Sequence, residues 1–184
     1  KLSVGLDLKD PAGRDAFGRL IAASDVFVTN FSVPGIESLG IRYKDLVEWN
    51  PAIIYIAMTG FGDQAGPYRD YRSWGPNLSA LSGIDFLTGD ADRPPVMTPS
   101  PFPDHVSAYH SVCAIINALL ERRVTGRGQE IAMAQLETTV GVLGPQLLEA
   151  QLTGRVPTRM GNRNAFACPR GLFPSFGVDR WERN

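Results

Sequence analysis

The chain has 184 residues, 43% of them apolar, and a formal net charge of -1. That is enough for one sizeable domain with its own core, and so little net charge excludes a nucleic-acid surface as its main business. No run of about 18 apolar residues marks a membrane span, and with no basic-then-apolar leader a reduced, cytoplasmic setting is expected.

Strands and helices alternate, the pattern of a parallel sheet flanked by helices. Leu2 to Leu8 alternates like a strand. Asp10-Pro11 then opens a helix, with Asp10 as cap, Pro11 at the first helical position and Phe17, Leu20 and Ile21 on the apolar face. Asp25 to Thr29 reads as a short buried strand. A short helix is expected near Pro34-Gly35, another over Lys44 to Trp49, and a second buried strand over Ile53 to Met58. Thr59 to Tyr71 is an irregular loop. A helix from about Pro76 to Ser82 follows, then a loop from Asp90 to Pro103 with five prolines. Loops of this length in a compact domain are usually functional.

The spacing predicts a long helix from Asp104 to about Arg123, with Val106, Tyr109, Cys113, Ile116 and Leu120 as its buried stripe. Cys113 thus reads as a small core residue and Cys168 as a free thiol in a loop. Gly126-Arg127-Gly128 turns the chain into a strand at Glu130 to Ala134, and one more helix is expected from about Leu136 to Leu152. The main α/β domain is placed at 1–153. Residues 154–184, rich in Arg, Pro and Gly, read as a linker towards a missing element. With no initiator Met and no closing element after Asp179-Arg180-Trp181, the chain is expected to be a piece of a longer protein.

Asp104 is the most informative polar residue. At the start of a helix the free N–H groups and the positive end of the dipole favour an ionised carboxylate. On spacing alone it is a helix cap, because Asp is among the favoured N-cap residues. The same placement suits a nucleophile. His105 and His110 diverge on one helix, and no His/Cys/Asp/Glu grouping has metal-ligand spacing, so no metal is expected. Gly60-Phe61-Gly62 and Asn30-Phe31 each follow a strand, where open α/β sheets bind ligands. Either pair is also an ordinary turn. Arg155, Arg159, Arg163 and Arg170 suit anions or solvent equally.

Taken in order, these segments resemble the class III CoA-transferases, the superfamily of formyl-CoA transferase, carnitine CoA-transferase and α-methylacyl-CoA racemase. The resemblance is carried by Ser3 to Lys9 (SVGLDLK), Asp10-Pro11, Asp25 to Phe31 (DVFVTNF), Asn50-Pro51 and Thr59-Gly60-Phe61-Gly62. Gly66-Pro67-Tyr68, Leu81-Ser82-Gly83, Thr88-Gly89, Asp104 and Thr125-Gly-Arg-Gly-Gln129 complete it. It implies a Rossmann-like parallel sheet with flanking helices, part of the large domain of an acyl-CoA:carboxylate CoA-transferase. In that family the helix-opening aspartate, here Asp104, is the nucleophile and forms an aspartyl covalent intermediate. By the same resemblance Leu6, Asp7 and Lys9 lie near the adenosine of CoA, Asn30 and Phe31 beside the pantetheine and nucleotide, and Gly60 and Phe61 in the groove wall. Coenzyme A thioester is then a substrate, a carboxylic acid is the acceptor, and no cofactor is implied. The expected unit is an interlocked homodimer.

Two departures stand out. An Arg often found after the Asn-Phe motif is Ser38 here, which removes one phosphate contact. Racemases of the superfamily resemble His-Asp where this chain has Trp74-Gly75, so one racemase base is absent. An acyl-CoA racemase or isomerase is therefore the weaker alternative. A non-catalytic α/β CoA-binding domain, with Asp104 as a cap, is the rival from another class.

Overall fold

The computed structural model describes residues 1–63, 66–164, 166–171 and 173. Three strands, β1 (Val26–Thr29), β2 (Ile54–Thr59) and β3 (Gln129–Ala134), form a parallel sheet in the order β1-β2-β3. The register pairs Val26 with Ile54 and Ile54 with Gln129. Around it lie α1 (Pro11–Ala22), α2 (Val33–Leu39), α3 (Tyr43–Leu46), α4 (Gly75–Ser82), α5 (Ile84–Leu87), α6 (Phe102–Thr125), α7 (Gln135–Val142) and α8 (Gly144–Thr153). The α/β architecture expected from the sequence is present.

β2 is central, and its side chains alternate between two layers. Tyr55 and Ala57 join Ile21 of α1, Ile36 of α2, Ile41 and Leu46 in one core cluster. Phe17, Phe27 and Trp49 pack against that cluster, edge to face about Phe17. Ile54 and Ile56, both fully buried, point to the opposite face, where α6 lies on β2 and β3. Burying each such side chain contributes roughly 1.5–3 kcal/mol.

The local signals explain several ends. Asp10 caps α1 by accepting from the N–H groups of Ala12 (3.0 Å) and Gly13 (3.1 Å), with Pro11 in the first turn. Asn50 accounts for its place before Pro51. Its amide donates to the carbonyls of Ile21 and Ser24 at the end of α1, and its Oδ1 accepts from Ala52 N. Arg122, in the last turn of α6, donates to the Ala52 carbonyl and to the backbone and carboxylate of Asp25, joining the starts of β1 and β2.

Several expectations are corrected. Residues 1–7 form no strand. No partner strand pairs with them among the described residues, and Lys9 N turns back to Asp7 Oδ1 at 2.9 Å. Leu20 of the α1 face is exposed, while Phe17 and Ile21 pack inward. The second short helix covers only Tyr43–Leu46. The α6 stripe is reversed: Tyr109, Cys113, Ile116 and Leu120 are exposed, and the buried residues are Pro103, Ser107, Ser111 and Ala118. Small side chains let the helix approach the sheet closely, and the serines bond internally. Ser111 Oγ donates to Ser107 O, and Ser107 Oγ meets Thr138 Oγ1 at 2.7 Å. The final helix is two helices. Pro145 has no N–H for a helix running through it, so the chain breaks at Leu143-Gly144 and α8 begins there.

Arg159 packs over the Phe86 ring and donates to the Phe86 carbonyl at 2.9 Å, and Gly161 N bonds Gly89 O, so this stretch lies along α5. Asp179-Arg180-Trp181 lies outside the described residues.

Candidate active site

The three parallel strands end at one edge, and the residue after each strand lines the same cleft. These are Asn30 after β1, Gly60 after β2 and Gln135 after β3. The cleft holds about 800 Å³ and is also walled by Phe31, Phe61, Tyr71, Trp74 and Gly75, with Asp104 reaching in from α6. Asn30, Phe31, Gly60, Phe61 and Asp104 are thus brought together. Leu6, Asp7 and Lys9 are not among the lining residues; Asp7 and Lys9 are exposed and Leu6 is half-buried at the turn before α1.

Asp104 does not cap its helix. The helix begins at Phe102, Pro101 occupies the cap position, and Asp104 sits in the first turn. Its position there still faces the positive end of the dipole. The carboxylate is directed sideways into the cleft: Oδ1 accepts from Gln135 Nε2 at 3.4 Å. Oδ2 lies against Gly75, where an added Cβ would come within 2.8 Å of it and 3.1 Å of Pro101 Cβ. Glycine at 75 is therefore what leaves room for the carboxylate. Three helix starts, those of α4, α6 and α7, converge on this one group.

Gly60 is fixed by close approach of a different kind. A Cβ there would fall 1.8 Å from Ser73 Oγ, and the Gly60 carbonyl accepts from Leu136 N at 3.0 Å. The loop after β2 can therefore fold back over the strand end and present Arg72, Ser73 and Trp74 to the cleft. Phe61 packs with Tyr68 and Tyr71, ring centroids 5.4–6.3 Å apart across the trio. Phe31 is 52% exposed and Trp74 69%, leaving flat apolar surface at the cleft. Thr59 Oγ1, buried in the cleft wall, has no hydrogen-bond partner among the described residues.

The charged lining residues are Arg69, Arg72 and Asp104. Arg69 is neutralised by its neighbours: it donates to Glu37 at 2.6 Å, Asp70 at 2.7 Å and the Asp63 carbonyl at 3.2 Å. Its hydrogen bond to the Glu37 carboxylate pushes its already high pKa further up. Arg72 has no ion pair or hydrogen bond among the described residues.

Gln135 and Arg72 were not singled out in the sequence. Gln135 had a usable signal, since it follows a strand as Asn30 and Gly60 do. His105 is exposed at the start of α6, and His110 Nδ1 is bonded to the Val106 carbonyl of its own helix. No group of metal-ligating side chains occurs among the described residues, and none of their helices is long and apolar enough to cross a membrane.

The model of the family described as CoA-transferase family III matches residues 1–181. A succinate–glutarate CoA-transferase of Agrobacterium fabrum is 35% identical over 175 residues, which is 95% of this chain and 44% of that protein. An acetyl-CoA:oxalate CoA-transferase of Acetobacter aceti is 33% identical over 174 residues, 94% of this chain and 44% of that protein. A solved CAIB/BAIF family protein from Brucella suis superposes with a TM-score of 0.85 at 36% identity, over 91% of this chain and 44% of that one. The chain therefore spans under half the length of these relatives. On the family match along almost its whole length, and on the shared fold, the chain belongs to CoA-transferase family III.

Proposed function

We propose that the protein containing this chain is an acyl-CoA:carboxylate CoA-transferase with Asp104 as its covalent nucleophile. The observation that carries the reading is the carboxylate itself: it is not used as a cap and is held in the strand-end cleft by Gln135. CoA-transferase activity named for relatives at 33% to 35% identity supports the reaction class.

A carboxylate suits this chemistry because CoA moves between two carboxylic acids of similar basicity, so each exchange is nearly balanced in free energy. Asp104 attacks the donor thioester carbonyl; the C–S bond breaks, CoA leaves as thiolate, and a mixed anhydride forms. The thiolate then attacks the Asp104 carbonyl, releasing the donor acid and leaving an aspartyl-CoA thioester. The acceptor carboxylate attacks that thioester, giving a second anhydride and free thiolate. Attack of the thiolate on the acceptor's acyl carbonyl yields the new acyl-CoA and regenerates Asp104. Dividing one hard exchange into such steps is the gain from covalent catalysis. Backbone N–H groups at the converging helix starts are suited to the developing oxyanions.

In this reading Asn30, Phe31, Gly60 and Phe61 flank the pantetheine and nucleotide, and Leu6, Asp7 and Lys9 meet the adenosine. CoA is a substrate and the mechanism needs no resident cofactor. The racemase alternative loses weight because Trp74 and Gly75 supply no base beside Asp104. The working unit is taken to be a cytoplasmic interlocked homodimer, which light scattering of the full-length protein tests. The decisive experiment is intact-protein mass spectrometry of the full-length protein with an acyl-CoA panel. A hydroxylamine-sensitive adduct on Asp104, absent from Asp104→Ala, is expected. CoA binding without any adduct would sink the covalent mechanism.

A further inference from the structure

We infer that Arg72 is the anion anchor of the Asp104 cleft and holds the distal carboxylate of a dicarboxylic acyl group. The inference rests on the CoA-transferase reading of this cleft and adds the class of acid. Two guanidinium groups line the cleft, and they differ in one respect. Arg69 is taken up by Glu37, Asp70 and the Asp63 carbonyl. Arg72 meets no acid and no carbonyl among the described residues. A guanidinium presents paired donors that match a carboxylate fork, so its unused donors define what it can bind.

Placement selects the source of the anion. Arg72 is three residues before Gly75, so their backbones are separated by at most about 11 Å. Gly75 adjoins Asp104 Oδ2. Arg72 and Asp104 line the same cleft, and that separation keeps the Arg72 guanidinium within reach of its reacting end. In a CoA thioester the whole pantetheine arm separates the phosphates from the thioester carbon, whereas the second carboxylate of a short diacid is only a few bonds from it. The carboxylate is the anion that reaches Arg72 while the thioester carbon meets Asp104. The cleft's remaining anion is Asp104 itself, so a monoanionic acyl chain brings charge balance to Arg72.

The test uses the full-length protein, as wild type, Arg72→Ala and Arg72→Lys, with succinyl-CoA and glutaryl-CoA against butyryl-CoA. Arg72 is exposed, and matching thermal melts check that the variants are folded. Arg72→Ala is expected to lower kcat/KM for the two diacid thioesters by roughly ten- to hundredfold. The butyryl-CoA value should move less than about twofold, and Arg72→Lys should recover part of the loss. Equal losses for all three thioesters would assign Arg72 to the phosphates and overturn the proposal, as would no loss at all. A wild type that transfers none of them would refute the transferase reading, and calorimetry would then judge the anchor separately. A preference for succinyl-CoA over butyryl-CoA that vanishes in Arg72→Ala supports it; no preference in the wild type overturns it.

Discussion

Gln135 Nε2 donates to Asp104 Oδ1 across 3.4 Å, joining the first residue of α7 to the first turn of α6. Gln135 is 6% exposed, and its neighbour Leu136 is bonded to the Gly60 carbonyl, so the donor is held by the end of the sheet. In the proposed mechanism it steers which oxygen attacks. Gln135→Leu keeps the size and removes the donor. We expect kcat to fall about tenfold, with KM for the thioester moving less than about twofold. A KM effect with unchanged kcat would make Gln135 a binding residue only.

Gly75 sets the space for Asp104. Gly75→Ala adds a Cβ within 2.8 Å of Oδ2 and 3.1 Å of Pro101 Cβ, so the carboxylate must shift. The expected result is at least about a tenfold slower formation of the Asp104 adduct, because small misplacements of a nucleophile are costly. Unchanged adduct kinetics would show that Asp104 attacks from another position.

Glu130 on β3 gives a pH signature. Partial burial of its carboxyl, and then the charge of Asp63, push its pKa above the usual 4.5. A carboxyl raised on folding stabilises the folded chain fully below the unfolded value, and that contribution fades as pH rises through the folded value. The ionised form is therefore the less favourable one at neutral pH. Glu130→Gln is expected to raise the melting temperature by about 1–2 °C at pH 7 and to leave it nearly unchanged at pH 4. The same increase at both pH values would point to packing instead.

The small face of α6 lies on β2 and β3. Ser111 is 3% exposed and bonded to Ser107 O and Met133 Sδ. Ser111→Leu should overpack this layer and cost about 1–3 kcal/mol by denaturant unfolding. A neutral outcome would mean that α6 can move away from β3.

The sequence was most legible where one residue carries a local signal. Asp10 before Pro11 announced α1, and Asn30 and Gly60 stood at strand ends that do meet in a cleft. It misled where a pattern had two readings. Hydrophobic spacing on α6 matched a buried stripe, but the residues this helix buries are Pro103, Ser107, Ser111 and Ala118. The α7–α8 break lies at Gly144-Pro145, inside the stretch from Leu136 to Leu152 expected as one helix. Gln135 shares the strand-end position of Asn30 and Gly60, whereas Arg72 carries no motif; its relevance comes from the approach of segments distant in sequence, which spacing does not encode.

Asn30, Gly60 and Gln135 descend directly from the ends of paired strands, whereas Arg72 and Trp74 come from one loop laid over them. The nucleophile's surroundings thus inherit the stiffness of the sheet, and the parts that would distinguish one acid from another sit on a detachable strip. Grafting residues 66–74 between family members should then exchange acid preference while the covalent step is kept, making this loop the natural unit for redesign.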